Sequence, residues 1–223
     1  MAKVQRFRLK FGWAALFLAA AATFGGNPAQ AEQPPVRIVA LGDSLSAGFG
    51  LPANDAFPVK LEKALKAKGI AATVANAGVS GDTSSGGLAR MDWSVPDGTQ
   101  AVILELGAND ALRGIDPEVT RKSLDAILSR LAARKIAVLL CGMRAPPNMG
   151  PDYARAFDAI FPSLAQKHGA LLYPFFLDGV AADAKLNQPD GMHPTAQGVD
   201  VIVMRIMPQI EKLIARVQAS RGT

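Results

Sequence analysis

Five short apolar runs punctuate the chain, at residues 36–41, 72–75, 101–106, 136–140 and 170–173. They are rich in Val, Ile, Leu and Ala and do not alternate with polar residues. That is the pattern of strands covered on both faces, as in a parallel sheet. Between them lie amphipathic stretches. Phe57, Leu61, Ala64 and Leu65 recur at three and four, with Lys60, Glu62, Lys63 and Lys66 outside. Asp116-Pro117-Glu118 supplies an N-cap, a proline at the first helical position and an acid in the first turn. Val119, Leu124, Ile127, Leu128 and Leu131 then line one face. A weaker helix spans 154–166, which Pro162 bends or breaks. A last helix starts at Pro194-Thr195 and aligns Val199, Val203, Ile206 and Ile210.

Strand–helix alternation with connections of this length implies right-handed crossovers. The predicted class is α/β: a three-layer α/β/α domain around a five-stranded parallel sheet. Non-periodic segments lie at 77–98, 142–152 and 177–189. The first two follow strands, where sites of open parallel sheets form.

The first thirty-one residues read differently. Lys3, Arg6, Arg8 and Lys10 precede an uncharged stretch at 11–24, and Ala29-Gln30-Ala31 offers a small-x-small cleavage site. This is the three-part pattern of a secretory signal peptide. Its apolar stretch is too short to span a bilayer comfortably. The expected organisation is a signal peptide at 1–31 and a single domain at 32–223, exported to the periplasm or medium with no stable membrane anchor. Removing the signal changes the charge. Of 24 Lys+Arg, four lie in 1–31 with no acid, which leaves 20 against 19 Asp+Glu. A mature chain at +1, its cations scattered among acids, argues against nucleic acid as a partner. Cys141 is alone, so there is no internal disulfide, and no Cys/His/Asp cluster has metal-ligand spacing.

Candidate chemistry sits just behind the apolar runs. Gly42-Asp43-Ser44-Leu45-Ser46 delivers a serine to the end of the first strand. A serine hydroxyl becomes a good nucleophile when an imidazole takes its proton and a carboxylate orients that imidazole. Of the two histidines, His168 and His193, only His193 has a carboxylate three residues before it, Asp190. Ser46 stands where the last glycine of a G-x-S-x-G elbow would be, so this is not an ordinary α/β-hydrolase turn. Asn109, in Gly107-Ala108-Asn109-Asp110, fits either a turn or a donor to a developing oxyanion. Gly81, in Ser80-Gly81-Asp82-Thr83, fits either a flexible loop or a close backbone approach to a ligand. Leu112 follows the asparagine, and Met143, Pro146 and Met149 follow the fourth strand; these four are candidates for an apolar acyl pocket.

Taken in order, the four blocks resemble those of the SGNH (GDSL) hydrolase family, and the resemblance spans roughly 36–215. Ser80-Gly81-Asp82-Thr83-Ser84, Gly87-Leu88-Ala89-Arg90 and Glu105-Leu106-Gly107 look like its exported bacterial thioesterase/lysophospholipase/arylesterase branch. The resemblance implies a flavodoxin-like fold and Ser44 as nucleophile, with His193 as base and acid and Asp190 as orienter. It also implies an oxyanion hole made by the Ser44 and Gly81 amides and the Asn109 side chain, with no metal or organic cofactor. The expected activity is hydrolysis of small-molecule or lipid acyl esters or thioesters through an acyl-serine. Two alternatives stand beside it: an acyltransferase or carbohydrate deacetylase using the same triad, and a non-catalytic binding module. Asp43 is expected to be structural.

Overall fold

The protein is described by a computed structural model over residues 1–3 and 34–221. Residues 4–31 of the expected export signal lie outside the described residues. β1 (Val36–Gly42) leads through α1 (Ser44–Ala47) and α2 (Phe57–Ala67) to β2 (Ala72–Gly78). α3 (Ser84–Ser94) precedes β3 (Ala101–Glu105); α4 (Ala108–Leu112) and α5 (Pro117–Ala133) precede β4 (Ala137–Cys141). α6 (Pro151–Asp158) and α7 (Ile160–His168) lead to β5 (Leu171–Tyr173), and α8 (Ala196–Arg221) closes the chain.

The sheet has the order β2-β1-β3-β4-β5, parallel throughout. β1 is thus flanked by the strands that follow it in both directions, and a switch point falls between β1 and β3. α2 and α8 pack together on one side, while α3, α5 and α7 form the other layer. β3 is buried at all five positions, as a non-alternating run predicts. β2 lies at the edge and buries only Val74, so the two-sided burial expected of all five runs does not extend to it.

Local signals behave as their chemistry dictates. The Asp116 carboxylate accepts from the Glu118 amide and starts α5. Thr195 accepts from the Gly198 amide and starts α8. The helix expected at 154–166 breaks at Ala159, between α6 and α7. Pro162 has no N–H to donate to Asp158, and its ring crowds that carbonyl, so the break falls one turn before the proline. The segment 77–98, which carries no apolar period, nonetheless contains α3. Its helix rests on polar contacts: Thr83 caps it by accepting from the Gly86 amide, and Ser84 donates to Asp110.

Candidate active site

Every block of candidate chemistry except one emerges at the C-terminal ends of β1, β2 and β3. β1 stops at Gly42, and Asp43 Oδ1 accepts from the Leu45 amide at 2.9 Å. This cap turns the chain into α1 and sets Ser44 at its first position, 8% exposed. The remaining block arrives from the far end of the sequence. Asp190 Oδ1 accepts from the amides of Met192 (2.9 Å) and His193 (3.0 Å), which folds the turn back on itself. Asp190 Oδ2 meets His193 Nδ1 at 2.7 Å. The bond from the His193 amide, then that from Met192, then the imidazole hold the Asp190 carboxyl down to about 2. His193 Nε2 lies 2.9 Å from Ser44 Oγ. With Nδ1–H donated to a carboxylate, Nε2 is left to accept the serine proton.

The histidine turn is tied to the nucleophile side by groups that the sequence patterns do not flag. The Phe49 ring tilts against the imidazole, centroids 4.5 Å apart. Gln188 Nε2 donates to Phe49 O (2.7 Å) and Pro194 O (3.0 Å), and its amide donates to His193 O (2.7 Å).

Asn109 lies near the start of α4, and its Nδ2 donates to Asp43 Oδ2 (3.1 Å) and Asp82 O (3.0 Å). Both amide hydrogens are therefore engaged. Gly81 has φ +83°, a conformation L side chains rarely adopt, and its carbonyl accepts from Arg113 Nη2. Among the described residues, neither the Ser44 nor the Gly81 amide donates to another protein group. The Ser44 amide thus stands free beside its own hydroxyl, the Gly81 amide is likewise unengaged, and Asp43 and Asp82 hold the Asn109 side-chain amide.

That frame is charged and buried. Arg90, 7% exposed, donates to Asp82 Oδ2 (2.5 Å), Ala77 O (2.8 Å), Ser94 Oγ (3.0 Å) and Gly42 O (2.8 Å). One guanidinium thereby pins the ends of β1 and β2 to the 82 loop. Asp110 accepts from Ser84 N, Ser84 Oγ and Thr120 Oγ1, joining α3, α4 and α5. Asp43 is fully buried, and desolvation pushes its carboxyl up to about 6 against the pull of the Leu45 and Asn109 bonds. Beneath it, Glu105 Oε2 accepts from the Asp43 amide and from Ser46 Oγ. Burial, joined by the Asp43 charge, holds Glu105 well above the usual carboxylate range.

The four pocket candidates are dispersed in exposure. Leu112 is exposed, Pro146 and Met149 are half-buried, and Met143 belongs to the core at 3% exposure. A Cβ built on Gly114 would lie 3.2 Å from Met149 Cε, so the loop after β4 meets the segment after α4. The residues that sequence reasoning passed over are Phe49, Gln188, Ser46 and the Asp82–Arg90 pair as a frame. Glu105 left one visible sign: a lone acid near the end of an otherwise apolar run.

Residues 40–201 match the model of the GDSL-like Lipase/Acylhydrolase family. The chain is 36% identical over 178 residues to Esterase TesA of Pseudomonas aeruginosa, covering 79% of this chain and 89% of that protein. It is 38% identical over 178 residues to Thioesterase 1/protease 1/lysophospholipase L1 of Escherichia coli, covering 79% and 84%. Among solved structures, AlinE4, an SGNH-hydrolase family esterase, is 48% identical, with a TM-score of 0.69 over 81% of this chain and 97% of that one.

Proposed function

Because this chain belongs to the GDSL-like lipase/acylhydrolase family and is an ester-hydrolysing enzyme, we propose that Ser44, His193 and Asp190 carry out its reaction as an acyl-transfer triad. One observation carries this reading: the unbroken relay from Asp190 Oδ2 through both imidazole nitrogens to Ser44 Oγ, at 2.7 and 2.9 Å. Ser44 Oγ attacks the acyl carbon while His193 Nε2 takes its proton. The carbonyl oxygen becomes an anion held by the Ser44 and Gly81 amides and by Asn109 Nδ2, which gives up part of its hold on Asp43 or Asp82. The tetrahedral adduct collapses, and His193 returns the proton to the departing alkoxide or thiolate. Water then attacks the acyl-serine with His193 again as base. Asp190 fixes the tautomer and supports the imidazolium.

The proposed substrates are small-molecule or lipid acyl esters and thioesters, with Leu112, Pro146 and Met149 contributing apolar surface to the acyl group. The proposed localisation is the periplasm or medium after cleavage behind Ala31, supported by the N-terminal pattern; a mature protein beginning at Glu32 is the expected result of N-terminal sequencing.

The test is hydrolysis of p-nitrophenyl esters from C2 to C16 by wild type and Ser44→Ala side by side. Turnover lost in the variant, with melting temperature nearly unchanged, is expected. A Ser44→Ala protein that hydrolyses at the wild-type rate would sink the assignment. Product analysis with an added alcohol separates hydrolysis from acyl transfer.

A further inference from the structure

We propose that Glu105 is a positioning residue for the nucleophile: one oxygen of its buried side chain grips the turn that presents Ser44 on both sides of the serine. The proposal rests on Ser44 as nucleophile. Glu105 ends β3, and its partners in register are Gly42 of β1 and Cys141 of β4. Its Oε2 accepts from the Asp43 amide at 3.2 Å and from Ser46 Oγ at 2.7 Å. Those residues stand one before and two after Ser44, so a single atom sets the path of the chain through the serine.

Gly42 belongs to the same device. A Cβ built there would lie 2.2 Å from Ser46 Oγ and 2.5 Å from Glu105 Oε2. The glycine is required for space: it opens the gap in which hydroxyl and carboxyl meet.

An acid at this place is expensive, which argues that it is there for more than filling. Glu105 is 0% exposed, and among the described residues no Lys, Arg or His contacts its carboxyl. Its ionisable neighbours are Asp43, of the same sign, and the Cys141 thiol, itself held well above its ordinary range by burial. Its other oxygen, Oε1, has no hydrogen-bond partner. An apolar side chain of similar volume would avoid the cost of burying this group. What it could not supply is a double acceptor fixed to the central strand. Burial favours the uncharged acid, and Oε2 is the atom that accepts from both groups. Asp43 and Glu105 share the work: Asp43 caps α1 and holds the Asn109 amide, and Glu105 ties that turn to β3.

The experiment measures kcat and KM on a p-nitrophenyl ester, the rate of fluorophosphonate labelling, and melting temperature. The proteins are wild type, Ser44→Ala, Glu105→Gln, Glu105→Leu and Ser46→Ala. Absence of labelling in Ser44→Ala checks the nucleophile without reference to Glu105. Glu105→Gln keeps shape and acceptor, and is expected within about threefold of wild-type kcat. Glu105→Leu is expected to lose about 30-fold or more in kcat and labelling rate with KM within about twofold, the signature of a misplaced nucleophile. Ser46→Ala moves the same way by about three- to tenfold. A folded Glu105→Leu protein with wild-type kcat and labelling overturns the proposal. So does a Glu105→Gln protein that falls as far as the leucine variant. If Glu105→Leu does not fold, Ser46→Ala decides, and an unchanged kcat there overturns it.

Discussion

At the scale of single residues, the site divides into the groups proposed to react and the groups that hold them. Asn109 is expected to act on the transition state, where charge develops, more than on bound ester. Asn109→Ala should lower kcat by about 10²–10³, equivalent to ~2.7–4 kcal/mol, with KM little changed; steady-state kinetics on one ester checks it, and an unchanged kcat with raised KM would make Asn109 an ordinary binding group. Asp190 yields a prediction with a definite sign. Its folded value of about 2 lies below the ordinary 3.8. Its contribution to stability is therefore complete above about pH 4 and disappears as pH falls through about 2. Urea denaturation should show wild type ahead of Asp190→Asn at pH 7, with the gap closing towards pH 2; a gap independent of pH would mean that the charge is not what the turn stabilises. The groups proposed to react could be picked out in the sequence because reactive types are scarce here, with two histidines and one short acid-to-imidazole spacing. That spacing was the useful clue, since His168 also finds a carboxylate, Asp125, but from 43 positions away and shared with Lys167. The holding groups were not legible. Arg90, Glu105 and Gln188 act through contacts 48, 59 and 139 positions apart, and no local period records such pairings.

At the scale of elements, burial wrote itself into the sequence and polar support did not. The five strands were readable because a strand covered on two faces has no room for polar side chains; the two edge strands depart, β2 burying only Val74 and β5 only Tyr173. α3 escaped because Ser84, Ser85, Gly86 and Gly87 open it, and its face towards the core is small. A Cβ at Gly87 would lie 2.3 Å from Leu106 Cδ1, so the glycine lets this helix sit close to the chain leaving β3. The Thr83 cap then matters more than in a helix with a broad apolar stripe. Thr83→Ala is expected to cost about 1 kcal/mol in chemical denaturation. α8 contains the opposite case. Pro208 sits inside this 26-residue helix, exposed, and withholds one backbone bond. Pro208→Ala should stabilise by roughly 2 kcal/mol: about 3 from helix preference, less up to about 1 for the added freedom of the unfolded chain. A lower melting temperature in that variant would mean that the proline shapes a contact the helix needs.

At the scale of the whole molecule, the core closes around β3, whose five residues are all buried, and Cys141 at the end of β4 is sealed within it at 0% exposure. The lone thiol is thus a built-in reporter of global opening. A domain stable by about 5–15 kcal/mol exposes its interior rarely; labelling of Cys141 by a thiol reagent should be at least about 10³-fold slower in native than in denatured protein. Rapid native labelling would reveal a local opening beside the site. The bond between His193 Nε2 and Ser44 Oγ joins positions 149 apart in the chain. A ribosome must therefore deliver the serine long before its proposed base, and any nascent chain that stops short of residue 193 carries the hydroxyl without that base. Regained turnover on refolding is therefore expected to mark the joining of these two distant segments rather than the first collapse.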